Sequence, residues 1–455
     1  MKPYISLAIN DPNQLVFGEC PYPVRVTPRI VVGGGETYPE INYILPHATE
    51  VSERTIDDIV EQYRRMARGT LQRALELGIA ALVVEIELVF ELTLHPDWGA
   101  RVIEATRQVM TEYEHKGVHS ALRTTVADIR DRVRPPRNRT SNETELVFET
   151  FERCAPYSDI LSIESTGAKE ISDQAILQCD PGGVLFAVGL LASNDMAFLW
   201  KRIVEIADRH NKIAGGDAAC GSANTAMQLA RRKMIPSVFA ATVRAVGAAR
   251  SLVALECGAT GPDKDCAYEG PILKAIAGIP ISMEGKAAAC AHSSHIGNVA
   301  MCCCDLWSNE SVPYAQLFGG FTPEVMLEQL WYDCKLMNRA LQSGQTLTLR
   351  NLLAESDIHT SAEALVLAPT SCVRIAKAIV ASEDYTTRAY LAAREAISII
   401  EEALQEAALE IPPLELPWVD MIKSGLDEFE QLGDNVADHY TSVYGNDFVP
   451  IEYGL

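Results

Sequence analysis

The sequence predicts an α/β fold, a TIM-like (β/α)8 barrel with an additional N-terminal segment and a C-terminal helical elaboration. Three observations point there. Apolar runs rich in β-branched residues alternate with amphipathic stretches through the first two-thirds of the chain, the pattern of parallel strands joined by crossover helices. No Gly-x-Gly-x-x-Gly turn follows any run, because Gly33-Gly34-Gly35 lacks the spacing, and this counts against an open dinucleotide-binding sheet. Residues suited to chemistry recur after several different strands, as they do at the C-terminal mouth of a barrel. Periodicity alone leaves barrel and open sheet evenly matched, and closure at eight strands is inferred from about six.

Taken in order, residues 55–77 place Ile56, Ile59, Val60, Tyr63, Met66, Leu71 and Leu75 at helical spacing. Thr55 with Asp58 suggests a capping pair, and Gly78 stands where a helix C-terminus favours glycine. The run Ile79–Phe90 reads as a strand, a helix covers 98–116 before Gly117, and Leu122–Ile129 is the next strand. The alternation continues with strand Ile160–Glu164, helix 170–178, strand Val184–Leu191, helix 195–209, strand Lys212–Ala214 and a strand near Pro280–Met283. An alanine-rich helix over 236–256 delivers the chain into the loop around Cys266. A long amphipathic helix follows over 382–410, and residues 411–455 form a proline-punctuated, acidic tail. No repeat or low-complexity linker divides the chain. It reads as one integrated unit over 1–455, with the barrel at about 50–349 and the helical elaboration at about 350–455.

Composition bounds the partners. At 455 residues, with 48% hydrophobic and 22% charged residues, the chain can bury a large core. A formal charge of −22 argues against nucleic acid, whose phosphates require a basic surface. The opening Met-Lys-Pro-Tyr breaks too early for a signal peptide. The run Ile79–Phe90, interrupted by Glu85 and Glu87, is too short to span a bilayer, so no membrane partner is expected. Twelve cysteines are scattered through apolar segments, and Cys302, Cys303 and Cys304 are consecutive, which suits a reducing cytoplasm rather than a disulfide framework.

Two cysteines stand apart. Cys266 sits in a loop bounded by glycine and proline, residues 259–271, beside Lys264, Asp265 and Glu269. Cys220 lies in the small-residue loop Gly215-Gly216-Asp217-Ala218-Ala219-Cys220-Gly221-Ser222, and Glu164 closes the run Ile160–Glu164. Two thiolates and a carboxylate can hold zinc with a fourth position open, the arrangement of a catalytic site. The spacing is no local metal motif, and singly each residue reads as a buried cysteine or a strand-end acid. The segments LSIESTG (161–167), GGDAACGSANTAM (215–227), ATGPDKDCAYEGP (259–271) and Gly-Lys-Ala-Ala-Ala-Cys-Ala-His (285–292) decide between these readings. In residue type, order and separation they resemble the zinc-binding subunit of methanol:corrinoid methyltransferase, over nearly the whole chain. The resemblance implies the same barrel, with zinc on Glu164, Cys220 and Cys266. It also implies a corrinoid supplied by a partner protein and a complex with two copies of each subunit.

The implied reaction moves the methyl group of methanol to cobalt(I). Hydroxide leaves poorly, so the oxygen must be made electron-poor or protonated. The donor set sets up a tension, because three negative ligand charges around a divalent ion weaken its pull on electrons. Asp265, Lys264, Asp217 and Glu269 neighbour the ligands in sequence, and Asp265 is the named candidate for a direct catalytic role. Glu85, Glu87 and Asp128 are further candidates for the barrel mouth. His292 and His295 could present two imidazoles, but no acidic third ligand is near in sequence, and Cys302–Cys304 read as packing. The loop 215–224 lacks the lysine of a phosphate-binding loop; its small residues suit close approach of a macrocycle or metal. Two other functions remain open: a zinc thiol S-methyltransferase, and a non-catalytic scaffold with a structural zinc.

Overall fold

In the computed structural model, which describes residues 1–46, 48–264, 266, 268–288, 294–311 and 316–455, an antiparallel hairpin comes first. Its strands are β1 (Glu19–Thr27) and β2 (Ile30–Gly34). Seven parallel strands then form one sheet: β3 (Tyr38–Ile44), β4 (Ala81–Glu87), β5 (His119–Ala127), β6 (Ile160–Glu164), β7 (Ile213–Gly216), β8 (Ser282–Glu284) and β9 (Leu306–Ser311). Their spatial order is β7-β6-β5-β4-β3-β9-β8. Because the first strand of this sheet pairs with the last, the sheet curls round on itself rather than lying open. The result is a curled α/β sheet of TIM-like character.

Residues 260–263 run between the two free edges. Thr260 N donates to Ala214 O of β7 at 2.9 Å, and Ser282 N of β8 donates to the Asp263 carboxylate at 3.0 Å. Glycine makes that approach possible. A Cβ on Gly215 would stand 3.0 Å from Pro262 O, and one on Gly216, whose φ is +131°, would stand 3.2 Å from the Asp263 backbone.

The interior of the curl is polar. Glu40 of β3 pairs with Arg123 of β5 at 2.8 Å and accepts from Ser282 of β8, while Arg123 donates to Ser162 of β6 at 3.1 Å and to Pro262 O at 2.9 Å. β3 is not paired with β5 or with β8, so the contacts of Glu40 cross the inside. Burying such groups is tolerable only because each is bonded.

Several helices fall where periodicity put them: Ile56–Leu77, Pro96–Glu114, Lys169–Leu177, Ser237–Glu256 and Tyr385–Gln405. Gly78 ends the first in the left-handed region at φ 69°. Thr55 does not cap it; its hydroxyl donates to Glu50 O instead. The expected strand Val184–Leu191 is helical. Pro181 opens one continuous helix through Arg209, with a π-helical stretch over Leu185–Ala192. The run has no polar alternation, and an all-apolar run suits a helix buried on every side as well as an interior strand. This helix and Ser237–Glu256 are each long and apolar enough to cross a membrane, and both exceed the Ile79–Phe90 run. Most of the first apolar window (78%) and all of the second lie inside the protein. The tail after residue 411 folds into helices Leu416–Leu432 and Val436–Tyr444.

Candidate metal centre

Glu164 is the last residue of β6, Cys220 follows β7 by four positions, and Cys266 follows the 260–263 segment by three. All three therefore leave the C-terminal ends of successive segments around the curl and meet at one mouth. The ligand atoms of the trio lie within 4.8 Å of one another. Glu164 Oε1 is 3.4 Å from the Cys220 sulfur and 3.3 Å from the Cys266 sulfur. The two sulfurs stand at bonding distance, with Cα atoms 6.0 Å apart. Such a pair can oxidise to a disulfide or close on one soft metal ion. The Glu164 carboxylate, within reach of both sulfurs, supplies a third donor for such an ion, and the donor set fits zinc.

Buried carboxylates hold the loops. Glu269 accepts from Ala219 N and from Ser251 Oγ, both at 2.7 Å, fixing the residue before Cys220 to the loop of Cys266. Burial pushes its carboxyl above the usual range. Asp217 takes Arg250 at 3.3 Å and Trp200 Nε1 at 3.5 Å, and burial raises its carboxyl as well. Ala218, Ala219 and Ala223 pack with Cys266 into a small apolar wall. Below that wall runs the helix Ser237–Glu256, where a Cβ on Gly247 would sit 3.0 Å from Ala219 Cβ.

Lys264 occupies the floor. Its side chain is 1% exposed, and Nζ lies 2.9 Å from Glu85, 3.7 Å from Glu87 and 3.5 Å from Glu164 Oε1. Glu85 accepts from Thr125 Oγ1, and Glu87 accepts from Asn42 Nδ2 at 3.1 Å. Glu85 and Glu87 thus reach the mouth through a lysine, a partnership that sequence reading missed; the only signal was that all three are charged residues beside apolar strands. Asp128 goes elsewhere. It chelates Arg130, which also pairs with Asp195 at 2.8 Å. Burial works to raise the Asp128 carboxyl, but Arg130 more than offsets it and holds it low. Asp265 and His292 lie outside the described residues. Cys302, Cys303 and Cys304 are fully buried, as packing requires.

Comparison with known proteins gives the family. The family model for the methanol-cobalamin methyltransferase B subunit matches residues 1–454. The chain belongs to the methanol-cobalamin methyltransferase B subunit family. A methanol–corrinoid protein co-methyltransferase of Methanosarcina barkeri is 38% identical over 464 residues, covering 100% of this chain and 99% of the relative. A chain in the crystal structure of the methanol:cobalamin methyltransferase complex from Methanosarcina barkeri superposes with a TM-score of 0.95 at 37% identity, covering all of both chains. The resemblance carried by the glutamate and cysteine segments thus extends along this B subunit from end to end.

Proposed function

We propose that this chain transfers the methyl group of methanol to the cobalt of a corrinoid held by a partner protein, using a zinc ion bound by Glu164, Cys220 and Cys266. The observation that carries the reading is the convergence of that carboxylate and those two thiols on one point at the mouth. Among the described residues the group offers three ligands, the number that leaves a position open for substrate. Cobalt(I) gives an electron pair to the methyl carbon, the C–O bond breaks, and the oxygen departs with a proton as water, leaving methyl-cobalt(III). Zinc would supply Lewis-acid polarisation of the alcohol oxygen. The chain's own residues do the rest. Glu269 and Asp217 hold the two cysteine loops in place, and the buried alanines pack against Cys266.

The sheet reads as an eight-part (β/α)8 barrel, with residues 260–263 in the sixth place and the helices after 350 as elaboration. The corrinoid protein is taken to join as a complex with two copies of each subunit. A reducing cytoplasm suits a site that oxidation of its thiols would destroy.

An anaerobic absorbance assay with zinc-loaded protein, methanol and cobalt(I) corrinoid protein tests the proposal. Conversion to the methyl-cobalt(III) spectrum, abolished by a chelator and by Cys220→Ala or Cys266→Ala, is the expected result. Full turnover in both variants would overturn the ligand assignment, and no conversion with the cognate partner would overturn the donor.

A further inference from the structure

An ammonium is an unexpected neighbour for a metal centre, since it repels the ion beside it. Lys264 nonetheless reaches from the Cys266 loop to the floor of the site, where three carboxylates among the described residues stand around it. Glu85 and Glu87, two positions apart on β4, hold Nζ from the far side of the curl, and Thr125 and Asn42 fix those two acids in turn. One oxygen of Glu164, Oε1, is therefore approached by both sulfurs and by the cation. That placement is costly, because Lys264 and Glu85 are buried outright and give up their hydration, while Glu87 and Glu164, at 16% and 29% side-chain exposure, keep part of theirs.

Resting on the zinc reading above, we infer that Lys264 is a positioning residue that draws charge out of Glu164 and so keeps the bound metal electron-poor. A carboxylate and two thiolates put three negative charges around a divalent ion, a donor set that blunts its pull on an alcohol oxygen. A cation paired with the ligand carboxylate competes with the metal for the same lone pairs. At this depth its field is weakly screened. The lysine thereby answers the electrostatic tension built into the ligand set.

This role differs measurably from a merely structural one. A lysine that only tied the loops together would, on removal, let the ligands drift and weaken zinc binding. A lysine that withdraws charge leaves behind a more anionic site, which holds zinc at least as tightly and yet activates methanol poorly.

Zinc affinity of Lys264→Met, by competition with a chromophoric chelator, and kcat at saturating methanol with the corrinoid protein are the two readouts. Lys264→Gln, which keeps a hydrogen-bond donor without charge, serves if the methionine variant does not fold. The expected result is zinc affinity equal to or above wild type with kcat lower by about 10–100-fold. Ethylammonium added to Lys264→Ala should restore part of that rate. Zinc affinity falling together with kcat, or kcat unchanged, would overturn the inference. Wild-type protein that takes up no zinc at one ion per chain would instead overturn the metal reading itself, which separates the two failures.

Discussion

At Glu269 one carboxylate keeps two loops in register, and its second oxygen, buried, has no hydrogen-bond partner among the described residues. Replacing it by alanine leaves the Ala219 amide and the Ser251 hydroxyl without their acceptor, at about 1–3 kcal/mol for each buried group. We expect Glu269→Ala to weaken zinc binding by about 10–100-fold, the usual scale for groups that orient metal ligands. Glu269→Gln keeps an acceptor oxygen and should lose much less; equal affinity in the two variants, by chelator competition, would show that the carboxylate does not set the loop. The grouping of the three candidate ligands was legible through the resemblance of their segments, not through spacing. Glu164, Cys220 and Cys266 are 56 and 46 positions apart, so only the fold joins them. Lys264 was visible as a neighbour of Cys266, but its partners on β4 depend on what faces what across the curl. The fate of Asp128 was hidden for a different reason: its partner Arg130, two positions on in a 3-10 turn, is shared with Asp195, which only the fold brings near.

Elements were legible where their periodicity was clean. Helix Ile56–Leu77 buries one stripe, and periodicity named Ile56, Ile59, Val60, Tyr63, Met66 and Leu71 of it; Leu75, also named, is exposed, while the small residues Ala67, Thr70 and Ala74 complete the stripe. Strands β3 and β9 were missed, because TIM-like sheets are usually recognised by apolar runs. Here the inward positions include Glu40, Asn42 and Ser308, all buried, so a strand such as Tyr-Pro-Glu-Ile-Asn-Tyr-Ile looks like a loop. The opposite error gave a strand at 184–191, where an all-apolar run is a helix. Helix Ser237–Glu256 allows a direct test of how an element sets the site. A valine at Gly247 must displace Ala219, next to Cys220, and overpacking of this kind costs about 1–3 kcal/mol. Gly247→Val should therefore lower zinc affinity while the far-UV circular dichroism stays that of the wild type. Unchanged zinc affinity would mean that the cysteine loop is not supported from beneath.

At the scale of the whole molecule, a buried acid whose carboxyl is raised gives stability a pH dependence opposite to ordinary acid denaturation. Burial raises the Glu363 carboxyl from the usual carboxylate range to about 7. The folded state then binds a proton that the unfolded state has released, so stability falls as pH rises between about 4.5 and about 7. Glu363→Gln removes the titration. Urea unfolding should show the variant gaining on wild type as pH increases through that window, by roughly 3 kcal/mol at pH 8. A gain independent of pH would sink the assignment. A last consequence concerns synthesis. The helix Ser237–Glu256 is wholly enclosed, and one of its principal covers is Tyr385–Gln405, which begins about 130 residues later in the chain. At roughly 5–20 residues per second a ribosome needs several seconds or more to deliver that cover. Throughout the interval the nascent chain carries, without that cover, a helix long and apolar enough to cross a membrane. A chain ending before Tyr385 should accordingly pellet or partition with membranes, and co-expressed chaperones should raise the yield of the full-length chain more than slow induction of a fragment can.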